Sequence, residues 1–244
     1  MRYAILGDLH SNPTALEAVL AALEDAAVDT ILQVGDVVGY GAAPRETIEL
    51  VRAAGMQVVM GNHDGACTGH VDATTFNDAA RLAIRHNVAA LEREDLRWLA
   101  SLPLVHTTEH CALAHATLAR PERFDYIQRP DEADASFDDL DRPVCFLGHT
   151  HRPVTLMRLR EAPLRTSYTF QEDLELGEFD AALVNVGSVG QPRDDDPRAA
   201  YALFDSDTAR VTLRRVEYDV ERESDRILRA GLPKILADRL FLGI

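Results

Sequence analysis

Over the first hundred residues, short apolar runs alternate with stretches of helical periodicity. Residues 3–6, 31–34 and 56–60 read as strands, apolar enough to be covered on both faces. After the first, Asn12-Pro13 offers an N-cap followed by proline at the first helical position, and Leu16, Val19, Leu20 and Leu23 share one helical face. Pro44 opens a second helix with Ile48 and Val51 inward, and Gly55 closes it. This β-α-β-α-β rhythm predicts a mostly parallel sheet with right-handed crossovers. Residues 77–101 read as two further helices, ended by Pro103.

Beyond that point the texture changes. Runs at 111–115, 144–147, 153–159, 182–186, 200–204 and 210–216 read as short strands joined by turns, with little helix between them. Residues 121–142 are acid-rich and poor in branched apolar side chains, which predicts a solvated loop or short helix. From Asp219 helical periodicity returns, with Ile227, Leu228, Leu232, Ile235, Leu236, Leu240 and Phe241 apolar and Pro233 dividing it into two helices. The expected organisation is an α/β domain over 1–218 and a helical appendage over 219–244. Its apolar positions would pack on the domain or on a second copy in a homo-oligomer.

Four polar motifs each directly follow an apolar run: Gly7-Asp8-Leu9-His10, Gly35-Asp36, Gly61-Asn62-His63-Asp64 and Gly148-His149-Thr150-His151. His115 closes the 111–115 run in the same way. Ligands of open α/β sheets bind outside the carboxyl ends of the strands, so all five segments are expected at one edge. Asp8 and His10, two apart at a strand-to-loop bend, can converge on one ion. His149 and His151 could each serve a different ion of a close pair. Carboxylate oxygen with neutral imidazole suits manganese, iron, zinc, cobalt or nickel. Two such ions about 3.5–4 Å apart activate water and clamp phosphoryl oxygens.

Composition narrows the partners. The 244 residues carry 25 Lys+Arg against 40 Asp+Glu, a formal net charge of −15. That balance argues against tracking long nucleic acid or an anionic membrane surface. No apolar run nears the roughly 20 residues of a membrane-spanning helix, and Asp8 arrives too early for the apolar region of a signal peptide. Cys67, Cys111 and Cys145 are widely spaced and odd in number, which suits a reducing cytoplasm rather than a disulfide framework.

The ordered set Asp-x-His, Gly-Asp, Gly-Asn-His-Asp, His and Gly-His-Thr-His resembles the calcineurin-like metallophosphoesterase superfamily, most of all its small bacterial and archaeal phosphodiesterase-like branch. The resemblance runs from Asp8 to the Asn185-Val186-Gly187-Ser188-Val189-Gly190-Gln191-Pro192 segment, and includes Val38-Gly39-Tyr40-Gly41 and the tail around Leu232-Pro233. It implies an αββα sandwich, two packed mixed sheets flanked by helices. It also implies that Asp8, His10, Asp36 and His151 hold one divalent ion, that Asp36 bridges, and that Asn62, His115 and His149 complete the second. His63 matches the family histidine that faces the substrate phosphate, with Asn62 as its neighbouring catalytic donor.

The implied activity is dinuclear metal-dependent hydrolysis of a phosphate ester, foremost a small phosphodiester. The alternatives are a phosphomonoesterase or protein phosphatase on the same site, and a non-catalytic scaffold. Phosphoprotein phosphatases of this superfamily usually place an acid three residues after the bridging aspartate, followed by arginine. Gly39 and Tyr40 stand there instead. Ala116 replaces the glycine that often follows the late histidine, a change confined to local backbone. A scaffold would have lost ligands, and none is missing.

Taken singly, each motif has a plainer reading. Asp36 could be a turn residue, Asn62-His63-Asp64 a polar loop, and His149-Thr150-His151 a strand end. Their shared order and placement carry the metal reading. His70, His86, His106 and His110 lack partners at ligand spacing and read as surface or packing residues. Trp98 reads as core, Asp194-Asp195-Asp196 as a solvated acidic turn, and Asn12 as a helix cap within reach of substrate.

Overall fold

Alternation along the first strand sets up the layering of the computed structural model, which describes residues 1–244. In β1 (Arg2–Leu6), Tyr3 and Ile5 enter a core between two sheets, whereas Ala4 and Leu6 enter one shared with helices. The chain continues through α1 (Pro13–Leu23), β2 (Thr30–Gln33), α2 (Pro44–Ala53), β3 (Gln57–Val58) and α3 (Asn62–Thr68). Next come α4 (Asp78–Ala90) and α5 (Arg93–Ala100). β1, β2 and β3 pair parallel, as the alternating pattern predicts. β3 is shorter than the 56–60 run because its ends bond elsewhere. Met56 N–H donates to Val51 and Met60 N–H to Pro103. Asn12 caps α1 by accepting from Ala15 N–H at 2.9 Å, while its amide donates to Gly190, so neither end is free for substrate.

The second half holds β4 (Val105–Thr107), β5 (Ala112–Ala114), α6 (Asp134–Asp138), β6 (Val144–Leu147), β7 (Val154–Leu159), β8 (Ala162–Thr169) and β9 (Asp173–Glu175). It ends with β10 (Phe179–Asn185), β11 (Ala199–Asp205), β12 (Arg210–Val216), α7 (Val220–Arg229) and α8 (Lys234–Leu242). One sheet has the order β3-β2-β1-β11-β12-β9 and the other β4-β5-β6-β10-β7-β8. β11 joins β1 antiparallel, and β5, β6 and β10 run parallel, so both sheets are mixed. Val144 and Phe146 of β6 face the inter-sheet core, while Cys145 and Leu147 face an outer core with Phe137 of α6. Phe137 and Ser136 are buried, so part of the acid-rich 121–142 stretch packs against the sheet instead of standing in solvent.

The layers are therefore helix, sheet, sheet, helix: the αββα sandwich. In the tail, Ile227, Leu232, Leu236 and Leu240 pack with Tyr40 and α4, while Leu228, Ile235 and Phe241 remain exposed. No helix is long and apolar enough to cross a membrane.

Candidate metal centre

Parallel strands from both sheets end at one edge, and each delivers polar side chains there. Asp8 and His10 follow β1, Asp36 follows β2, His115 follows β5, and His149 and His151 follow β6. Asn62 and His63 form the first turn of α3, not a loop. Asp64 makes that helix start where it does: its carboxylate accepts from Gly61 N–H at 3.0 Å and Asp36 N–H at 2.8 Å through one oxygen, and from Val38 N–H at 3.1 Å through the other.

The loops turn sharply. Asp8, His10, Asp36, His149 and His151 all have left-handed backbones, with φ from 46° to 68°. A non-glycine residue pays roughly 1 kcal/mol or more for that conformation. A bound structural divalent ion returns on the order of 10 kcal/mol, enough to offset all five. Glycine is needed where the carboxylates approach. A Cβ on Gly61 would sit 2.1 Å from Asp36 Oδ1, and one on Gly148 would sit 2.2 Å from Asp8 Oδ2.

Three histidines show which way their lone pairs point. Nδ1 of His10, His115 and His151 contacts the carbonyl of Val38 at 3.1 Å, Val34 at 2.8 Å and Gln191 at 2.6 Å respectively. A carbonyl only accepts, so Nδ1 carries the hydrogen and Nε2 is left as a lone-pair donor to a cation. His10 Nε2 and His151 Nε2 nevertheless face each other at 3.0 Å. Asp8 Oδ1 lies 3.3 Å from His151 Nε2. Two lone pairs and a carboxylate oxygen converging in a dry site fit one cation.

Asp36 Oδ2 lies 3.6 Å from His10 Nε2 and 3.4 Å from His115 Nε2, so this one oxygen touches both groups. On the far side, His115 Nε2 also meets Asn62 Oδ1 at 3.0 Å and His149 Nδ1 at 3.1 Å. His149 Nε2 and His63 Nδ1 are buried without a hydrogen-bond partner. The structure thus brings together all eight residues singled out in the sequence: Asp8, His10, Asp36, Asn62, His63, His115, His149 and His151.

Burial governs the electrostatics. It pushes the Asp8 carboxyl up to about 8, with Asp36 adding to the effect against the pull of His115. Burial likewise drives His10, His149 and His151 well below the usual imidazole value, and His63 down to about 4. Burial would also lower His115, but the charge and hydrogen bond of Asp36, the charge of Asp8 and the Val34 carbonyl together outweigh it and raise His115 to about 9. For Asp36, burial acts upward, and His115 and His63 overcome it to hold the group below its usual range. Neutral His10, His149 and His151, with Asp8, Asp36 and His115 once the protons on Asp8 and His115 are displaced, form a donor set that fits divalent cations.

Some contributors carry no ligand motif. Asn87 of α4 ties two loops together: its oxygen accepts from Ser11 and Gly39, and its amide donates to Gly41. Asp64 could have been found from its place three residues after Gly61, where an acid reaches back to the N-cap N–H. Tyr126, 50% exposed, stacks on His149 with centroids 3.9 Å apart. It forms one wall of a cavity of about 320 Å³ that Asn62, His63, His149 and Phe124 also line. His86 bonds the Ala42 carbonyl and lies outside the centre. Trp98 packs against the helical core, with the Arg52 guanidinium 5.0 Å over its ring.

An αββα sandwich with Asp, His and Asn gathered at its strand ends defines the class, and the chain belongs to the calcineurin-like phosphoesterase superfamily. The model for that superfamily's domain matches residues 1–209. An uncharacterized protein of Methanocaldococcus jannaschii is 36% identical over 244 residues, covering 98% of this chain and 97% of its own. The crystal structure of a metallophosphoesterase from Sphaerobacter thermophilus superposes with a TM-score of 0.87 at 40% identity, covering 100% of this chain and 99% of that one. A symmetrical bis(5'-nucleosyl)-tetraphosphatase of Aromatoleum aromaticum is 32% identical over 133 residues, 51% of this chain and 47% of its own.

Proposed function

We propose that the protein is a dinuclear metal-dependent phosphodiesterase acting on a small phosphate ester. The observation that carries this reading is the single oxygen of Asp36 placed between His10 Nε2 and His115 Nε2. Asp8, His10 and His151 would hold one divalent ion, Asn62, His115 and His149 the other, and Asp36 both. When bound, the two ions supply an activated water and neutralise phosphoryl oxygens. Manganese is the first metal to try, since carboxylate with imidazole suits it.

The residues facing the cavity do the rest. Asn62 and His63 would donate hydrogen bonds to the phosphoryl oxygens as charge builds up, each worth about 2–4 kcal/mol where water is excluded. His63 acts as a donor and not as a proton source, because burial holds it near 4 and no carboxylate meets its Nδ1. Gly39 stands where an orienting acid would be, and a Cβ there would lie 2.4 Å from that nitrogen. The cavity admits a nucleotide-sized group, which agrees with the partial match to tetraphosphatases. The acidic surface disfavours long nucleic acid, and three buried free thiols fit a cytoplasmic setting.

The test is hydrolysis of bis(4-nitrophenyl) phosphate and 4-nitrophenyl phosphate by manganese-loaded protein. Faster turnover of the diester supports the proposal. Preference for the monoester would make the protein a phosphomonoesterase, and no turnover of either would leave a binding scaffold.

A further inference from the structure

A second cavity, of about 640 Å³, opens beside the metal centre and shares a wall with the first. That wall is Tyr126, which stacks on His149 and lines both cavities. Thr150, between the two histidines of Gly148-His149-Thr150-His151, lines the second cavity as well. The groove therefore begins where the proposed ion ligands end. Its volume is that of a small-molecule site.

The far wall comes from β7 and β8, the last two strands of the second sheet. They pair antiparallel with Leu156 opposite Tyr168, so these two side chains share a face. Phe170, two residues on and just past the strand, meets Tyr168 edge to face with ring centroids 5.6 Å apart. Leu156 is buried in the outer core, whereas Tyr168 is 57% exposed and Phe170 69%. Both rings line the groove, as Tyr126 does. Exposed rings gathered at one groove mark a site for a flat apolar group. Gln128 and Arg152 also line it and offer hydrogen bonds to a ring edge. A planar face with polar edges is the chemistry of a nucleobase. The shared Tyr126 wall ties the groove to the phosphoester site, which favours a part of the substrate over a separate protein.

We propose that the groove between Tyr126, Tyr168 and Phe170 binds a nucleobase of the substrate while its phosphate lies at the metal centre. The substrate class is then an ester of a nucleotide. The link to turnover rests on the phosphodiesterase reading, whereas base binding is measured without it.

The test is calorimetric titration of adenosine 5'-monophosphate and of ribose 5-phosphate into the manganese-loaded chain. Wild type binds the nucleotide at least about tenfold more tightly, the order of one base stacked on aromatic side chains. Tyr168→Ala and Phe170→Ala each weaken nucleotide binding about tenfold and leave ribose 5-phosphate within about twofold. Tyr168→Phe keeps the ring and the affinity. Leu164→Ala, which removes the 90% exposed side chain of β8 that does not line the groove, changes neither ligand. Equal affinity of wild type for the two ligands, no binding of either, or equal losses in Phe170→Ala and Leu164→Ala would overturn the subsite. So would conversion of a dimer to a monomer by Phe170→Ala with nucleotide affinity unchanged, which would make the groove a contact between copies. If the chain cuts no phosphate ester yet the calorimetric pattern holds, the activity reading fails and the subsite stands. If bis(4-nitrophenyl) phosphate is cut while the two ligands bind alike, the subsite alone fails.

Discussion

The two sides of Asp36 each have two histidines, with Asp8 on one and Asn62 on the other, and they differ in access. On one side His10 and His151 are fixed through Nδ1 to backbone carbonyls, Asp8 accepts His149 N–H through both oxygens, and Tyr40 closes over them. On the other, Asn62 is half-buried, His149 Nε2 is unpaired, and the cavity with Tyr126 opens beside them. One side is closed and the other opens onto the cavity. Mutations of the proposed ligands should therefore remove metal, and mutation of His63, which faces the cavity and holds no ion, should slow turnover.

The residue shared by both sides should matter most. Asp36→Asn is expected to lower kcat/KM for bis(4-nitrophenyl) phosphate at least about a thousandfold, near 4 kcal/mol. A loss under tenfold would remove Asp36 from its bridging place. The next pair separates metal holding from turnover. His63→Ala should cut kcat about a hundredfold with metal content unchanged by elemental analysis. His151→Ala should weaken retention of one ion by at least tenfold, since its Nε2 is aimed at the shared point. If His63→Ala instead empties the site of metal, His63 is a ligand and the separation of holding from turnover fails.

Proton release sharpens the comparison further. Asp8 at about 8 and His115 at about 9 both carry a proton at pH 7 that metal must displace. Metal affinity should thus rise with pH up to about 9, by up to tenfold per unit for each proton released. Titrations in buffers of different ionisation enthalpy should count about two protons per loaded chain at pH 7.

The smallest effect concerns a buried carboxylate with no part in the centre. Burial raises Glu223 to about 7, although Thr14 donates to one oxygen; the other oxygen is unpaired. A carboxyl whose folded pKa is raised contributes stability that is complete below its unfolded value near 4.5 and lost as pH climbs through 7. Glu223→Gln should therefore stabilise the protein by about 1–2 kcal/mol at pH 8 and change little at pH 4. Metal should abolish the corresponding pH dependence from Asp8 but leave that of Glu223.

The metal-centre candidates were legible in the sequence because each stands directly after an apolar run, so strand topology alone gathers them. Asp64 was noted within its motif, but its capping role escaped notice because it depends on a helix beginning two residues after Met60, where local polarity reads as loop. β8 and β9 carry too little apolar alternation to stand out, and Leu164 of β8 is 90% exposed. Helical periodicity found the tail but could not choose its buried face, since Ile227 and Leu228 differ only in what meets them.

The most direct test of the account is anomalous diffraction from crystals grown with manganese. It predicts two peaks about 3.5–4 Å apart, one among Asp8, His10 and His151 and one among Asn62, His115 and His149, with Asp36 between them. A single peak, or two that do not share Asp36, would contradict it.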